Sequence, residues 1–189
     1  LGRLCVPALP VLVVAAAELA NVARPTASGV RAALMLLGFA FVWHTTGLRA
    51  RHVEQARRET IAELRPTLAA ARHVATLDAG LVGVAAPHAR LTDLAGVTDP
   101  LIAVLPGSHT EKRIPDGLRG QRYVDAIVLL LASGQELAAP WPRGPFARGV
   151  ERYVALEPGL AERFRPAAVT SPPLRYVVLV QGRPEPDIR

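Results

Sequence analysis

Two apolar runs open the chain. Residues 4–20 carry one charged side chain, Glu18, and residues 32–48 carry no Asp, Glu, Lys or Arg between Arg31 and Arg49. At about 1.5 Å per residue each run is just long enough for a bilayer core, so the pattern predicts two transmembrane helices within residues 1–48. Pro7 and Pro10 fall near the start of the first run, where a membrane helix tolerates proline, and Trp43 fits an interfacial anchor. The first run lacks a positively charged start leading to an A-x-A cleavage site, and a second apolar run follows closely, which argues against a signal peptide. The polar stretch NVARPTASGVR (residues 21–31) reads as the turn of a helical hairpin. The same two runs also fit a hairpin buried in a soluble protein.

The pattern then changes period. Val53, Ile61, Leu64, Leu68 and Ala71 recur near helical spacing among Arg and Glu, predicting an amphipathic connector over residues 49–72 that Pro66 kinks or divides. Residues 73–189 alternate in the manner of a small α/β domain, with three layers or two and a sheet of about four strands. The strands are read at HVATLD (73–78), ARLTDLAG, YVDAIVLLLA (123–132, apolar enough to be central) and LRYVVLVQG, and GVERYVALE is read as a further candidate strand. LVGVAAP makes a short helix stopped by Pro87. TDPLIAVLPG makes another, with Thr98 or Asp99 as N-cap, Pro100 in its first turn and Pro106–Gly107 at its end.

Composition supports the membrane reading. Half of the 189 residues are apolar, and mean hydropathy is +0.24. The formal charge is +6. Its positive side chains are arginines except for Lys112, and they are scattered from Arg3 to Arg189. With aromatics at 5%, a base-stacking surface is poorly supplied, so nucleic acid is not an expected partner. Cys5 is the single cysteine, which excludes an internal disulfide and a cysteine-based zinc site.

Polar chemistry concentrates in DLAGVTDPLIAVLPGSHTEKRIPDG (93–117). Asp93, Asp99, His109, Lys112 and Arg113 are the candidate binding residues. His109, Lys112 and Arg113 near glycines suit a phosphate or pyrophosphate, and a carboxylate pair suits acid–base work. Plainer duties compete: Asp99 before Pro100 is a helix cap, and the rest form a polar surface loop. No catalytic residue is assigned, and no metal is expected, since the spacing of His109 and the carboxylates matches no defined metal site. LDAGLVGVAA after a strand has the setting of a dinucleotide turn but supplies G-x-x-G rather than G-x-G-x-x-G, and Gly80 reads as a turn glycine with positive φ.

RLCVPALPVLVVAAAELA resembles the late membrane helix of polytopic GT-C superfamily glycosyltransferases, with their Arg-x-x-x-Pro-x-x-Pro pattern. VATLDAGLVGVAAPHARLTDLAGVTDPLIA resembles the C-terminal extracytoplasmic domain of some of them, matching at Asp78, Gly80, Asp93, Gly96, Asp99, Ile102 and Ala103. GSHTEK is similar to a Gly-His-x-x-Lys loop there, with an extra residue before His109, and YVDAIVLL and LRYVVLV to strands that follow it. The resemblance implies the C-terminal piece of a mannosyl- or arabinofuranosyl-type transferase of the cytoplasmic membrane. Its partners would be the bilayer, a polyprenyl-phosphate sugar donor and a glycan acceptor, with no further cofactor in this piece. The catalytic acid of that superfamily lies in an early loop outside these residues, and the α/β domain would assist binding. The competing expectations are a membrane-anchored non-catalytic interaction domain and a soluble α/β enzyme with a buried helical hairpin.

Overall fold

The computed structural model describes residues 25–114, 123–135, 137 and 144–182. The expected first span, residues 4–20, lies outside them. The chain divides into two compact units, Leu1–Val53 and Glu54–Arg189.

The first described element is α1, Pro25–Leu68, a single helix of 44 residues. The expected turn at residues 21–31 is therefore helical from Pro25 onward. Pro66 does not divide the helix, because it falls in the last turn, where its missing N–H and its ring disturb little of the ladder. The second apolar run is helical as expected. Among the described residues, however, no helix is long and apolar enough to cross a membrane, so the transmembrane hairpin is not a feature of the described fold.

Within the first unit, Leu34, Met35, Leu36 and Leu37 are each at least half exposed, and so are Phe39, Phe41, Val42 and Trp43. Consecutive helical positions turn by about 100°, so residues 34–37 present apolar side chains to nearly every side. The Phe39 and Trp43 rings stack one turn apart at 5.9 Å.

Within the second unit the end of α1 buries Ala56, Thr60, Leu64 and Leu68, spaced four apart on one face. This stripe replaces part of the expected one, since Val53 is exposed. Its outer face is charged, with Arg58 paired to Glu54 at 3.0 Å.

The sheet is built from β1 (His73–Thr76), β2 (Arg90–Asp93), β3 (Ala126–Leu130), β4 (Phe164–Val169) and β5 (Tyr176–Gln181). It has five strands in the order β2-β1-β3-β5-β4. β1 runs parallel to β2 and β3, while β5 runs antiparallel to both β3 and β4. The helices between them are α2 (Ala79–Ala85), α3 (Pro100–Ala103), α4 (Gly149–Ala155) and α5 (Leu160–Arg163).

Strand period two sorts the core into two clusters. Val74, Ala126, Val128, Tyr176 and Val178 face Leu64 and Leu68 of α1 and Leu81, Val82 and Ala85 of α2. Ala75, Ile127, Leu129, Val177 and Leu179 face Ile102 of α3, Val150 and Val154 of α4 and Leu160 of α5. Helices on both faces make the domain three-layered, and they explain why β3 and β5 are continuous apolar runs rather than alternating ones.

Two expectations change. GVERYVALE is the helix α4, not a strand, because Val150 and Val154 share the buried face at helical spacing. The sheet gains β4, whose Pro166 and alanines hide the strand signal; an edge strand accommodates proline, and a register shift falls between Pro166 and Ala168.

Candidate functional site

The parallel neighbours β1 and β3 are left in opposite directions: from β1 the chain runs through α2 to β2 on one side, and from β3 it runs on to β4 and β5 on the other. In an open α/β sheet such a switch point leaves the carboxyl ends of the two strands free of a crossing connection, which is where ligands commonly sit. Here that edge holds four polar side chains far apart in sequence: Asp78 after β1, Arg148 and Glu151 at the start of α4, and Tyr176 at the start of β5.

Each is positioned by the fold. Arg148 is brought to the end of β3 because Ala147 N donates to Leu130 O at 3.0 Å. Tyr176 pairs with Leu130 in the β3–β5 ladder. Asp78 holds the N-cap position of α2, but its side chain makes no capping hydrogen bond there. The guanidinium of Arg148 bridges two carboxylates, with Nη2 at 2.7 Å from Asp78 Oδ2 and 2.5 Å from Glu151 Oε1. Tyr176 Oη donates to the same Asp78 Oδ2 at 2.7 Å. Glu151 is fully buried. Its Oε1 also accepts from Leu130 N at 2.8 Å, and its Oε2 accepts from Arg148 N at 3.2 Å.

The electrostatics follow from that geometry. Burial by itself pushes the Asp78 carboxyl up, but hydrogen bonds from Arg148 and Tyr176 and the guanidinium charge outweigh it and hold the group below 3.8. Burial and the hydrogen bond to Asp78 push the Tyr176 phenol above its ordinary value. Burial opposes the charge on Arg148, yet its two carboxylate partners raise its pKa overall. Asp78 is thus a fixed anion and a weak base, suited to accepting a hydrogen bond rather than removing a proton. Its side chain is 29% exposed, so a ligand hydroxyl can reach it.

The five residues singled out from the sequence lie in the 93–113 stretch, and the side chains of Asp93, Asp99, His109 and Lys112 bind that stretch together, while Arg113 reaches out of it to α4. Asp93 is buried at the end of β2. Its Oδ1 accepts from Ala95 N at 2.9 Å, and its Oδ2 accepts from Thr98 N at 2.8 Å and from Thr98 Oγ1 at 3.1 Å. Asp99 caps α3 by accepting from Leu101 N at 3.1 Å and Ile102 N at 3.4 Å. Lys112, 3% exposed, donates from Nζ to Ala103 O at 2.9 Å and Leu105 O at 2.8 Å, closing the carbonyl end of the same helix. His109 places Nδ1 3.1 Å from Ala95 O. The Arg113 guanidinium lies over the Tyr153 ring, 5.1 Å from its centroid.

Two glycines permit this folding. Gly96 has φ +73, and a Cβ there would stand 2.7 Å from Ala103 N; Gly107 has φ +108, and a Cβ would stand 2.8 Å from Glu111 O. Gly80, read from the sequence as needing positive φ, lies inside α2, and a Cβ there meets nothing within 4 Å.

The sequence reading missed Arg148, Glu151 and Tyr176. Asp78 stands in the pattern quoted from the sequence, but its partners Arg148 and Tyr176 lie 70 and 98 residues away. Among the described residues, no group of three or more His, Cys, Asp or Glu is placed to hold a metal ion. No protein-family model, curated protein or solved structure matches this chain.

Proposed function

We propose that this chain is the C-terminal part of an integral-membrane glycosyltransferase of the GT-C type, using a polyprenyl-phosphate sugar as donor. In this reading the α/β domain sits on the extracytoplasmic side of the cytoplasmic membrane. It helps hold the glycan acceptor or the lipid-linked donor, while catalysis belongs to residues outside this chain. The observation that carries the membrane part is the apolar girdle at residues 34–43 of α1. A helix apolar on every side is covered by lipid or by other helices, and a solvated surface does not provide that cover. The apolar run at residues 4–20 would complete the hairpin. The resemblance of residues 74–112 to the extracytoplasmic domains of these transferases supports the rest. So does Asp78, a fixed and partly open carboxylate of the kind that accepts sugar hydroxyls.

Two measurements test it. With Trp141→Phe leaving Trp43 as the sole indole, lipids brominated along their acyl chains should quench the fluorescence of the chain in vesicles, and the chain should resist carbonate extraction. Unquenched emission and extraction into the supernatant would reject membrane insertion. Membranes containing the complete protein should transfer radiolabel from a polyprenyl-phosphate sugar to an oligosaccharide acceptor, and absence of transfer across mannosyl and arabinofuranosyl donors would reject the activity.

A second reading is favoured by one observation. Asp93, Asp99 and Lys112 are committed to bonds within the domain, and Arg148 is already paired with two carboxylates. This favours a membrane-anchored domain with a binding role and no chemistry of its own.

A further inference from the structure

Residues 94–110 carry one carboxylate, Asp99, and no Lys or Arg. The stretch is apolar on its outside as well as its inside. Ile102 and Leu105 pack against the core. Val97, Leu101 and Val104 are 71%, 56% and 82% exposed. Leu101 and Val104, three positions apart, share one side of the α3 turn. Pro100, Ala103 and Pro106 are exposed as well. Side chains this exposed stand on a knob and do not line a cleft.

The backbone of the knob is closed from within. Asp93 accepts from the N–H groups of Ala95 and Thr98, and Asp99 from those of Leu101 and Ile102. Ala103 N donates to Asp99 O at 2.8 Å, and Leu105 N donates to Ile102 O at 3.1 Å. Lys112 Nζ donates to the carbonyls of Ala103 and Leu105. Pro100 and Pro106 have no N–H to satisfy. In an ordinary surface loop water serves such groups. Here two buried carboxylates and a buried ammonium serve them beneath an apolar cap.

We infer that this knob inserts into the headgroup and upper acyl region of a lipid bilayer, with Val97, Leu101 and Val104 as the inserted side chains. A protein partner brings donors and acceptors of its own, whereas lipid chains bring none. A surface that enters lipid must therefore have its backbone paired beforehand, as this one has. The stretch holds no exposed charge that insertion would strip of water, since Asp99 is buried in its cap. The chain leaves the knob at Arg113, whose guanidinium lies over the exposed ring of Tyr153. Arginine and tyrosine suit the headgroup level, where an apolar stem meets a polar end. The inference deepens the proposed membrane reading, on which it rests for bringing the domain to a bilayer.

To test it, Trp43→Phe and Trp141→Phe remove both native indoles, and Val104→Trp supplies a reporter on the knob. The full chain is reconstituted at low density in vesicles of phosphatidylcholine and phosphatidylglycerol, brominated on acyl carbons near the glycerol or near the bilayer centre. The reporter should emit to the blue of a solvated indole. Bromines near the glycerol should quench it more strongly than those at the centre. Adding Leu101→Asp should abolish the quenching. Val84→Trp in place of Val104→Trp puts the indole at an exposed site on α2, which covers the other face of the sheet, and should stay unquenched. Unchanged melting temperatures would show that the variants fold. Unquenched emission from the Val104→Trp chain overturns the inference, as does equal quenching of the Val84→Trp chain. A blue shift without quenching that grows with protein density means contact between copies and also overturns it.

Trp43 in the chain carrying only Trp141→Phe reports on the apolar helix separately. If Trp43 is quenched and the Val104→Trp reporter is not, the knob inference fails and the membrane reading stands. If the reporter is quenched and Trp43 is not, the knob stands as a peripheral anchor and the spanning reading fails.

Discussion

Replacing Arg148 by methionine removes the one guanidinium shared by Glu151 and Asp78. Glu151 has no exposed surface, so its carboxylate would remain buried with only backbone donors, Leu130 N and Arg148 N. Breaking a buried pair from one side costs about 3–5 kcal/mol, because a charge is left without its counterion. Arg148 is 18% exposed and Asp78 29% exposed, so water reaches part of the network and the lower end, about 3 kcal/mol, applies. For a unit of this size that corresponds to a fall in Tm of about 10 °C.

The second half of the test fixes the cause. Glu151→Gln alone should cost about 2 kcal/mol, the worth of hydrogen bonds to a charged group. In the Arg148→Met background the same change removes the orphaned charge and keeps an oxygen for Leu130 N. The double variant should therefore be more stable than Arg148→Met by about 1 kcal/mol or more, a non-additive cycle. Thermal unfolding of the full chain in detergent, followed by circular dichroism, measures all four forms. Additive losses would refute the argument that Arg148 neutralises Glu151.

Gly96→Ala should destabilise the domain by at least about 2 kcal/mol, since φ is +73 and the new Cβ would stand 2.7 Å from Ala103 N. Gly80→Ala, with open space and helical backbone, should stabilise it by up to about 1 kcal/mol, and the contrast is read from the same melts. Asp99→Ala should cost about 1 kcal/mol by removing the α3 cap; no change in Tm would deny the capping role. Asp78 is held below its unfolded value of 3.8, so the folded state prefers its anion. Its contribution is present above that value and is lost as pH falls through the lower folded one. Asp78→Asn should therefore lower Tm at neutral pH and converge with the parent in strong acid. Tyr176 is raised above 10.0, so its contribution is full below that value and is lost at more alkaline pH; Tyr176→Phe should flatten the alkaline limb of Tm against pH.

Local rules carried far along the chain. Asp99 before Pro100 specifies a cap without any tertiary partner, because the side chain reaches only the next turn. The apolar runs at 126–130 and 176–181 read as central strands because both of their faces are covered. Helix α4 was also legible in principle: Val150 and Val154 are four apart, and the β-branched and aromatic residues of GVERYVALE outweighed that spacing in the reading.

The sequence by itself determined the α/β alternation, most element positions and the place of the apolar helix, since these depend on period, turn residues and caps within a dozen positions. Only the tertiary structure decided the rest. β4 exists because β5 offers it a partner edge, which no propensity of FRPAAV announces. Asp93 and Lys112 look like chemistry in one dimension. In three they are staples, because their nearest donors and acceptors are backbone groups of their own loop. Asp78, Arg148, Glu151 and Tyr176 meet because the strand order brings the ends of β1, β3 and β5 to one edge. Contacts between residues so far apart in sequence are fixed by packing, and their pattern is invisible until the chain has closed on itself.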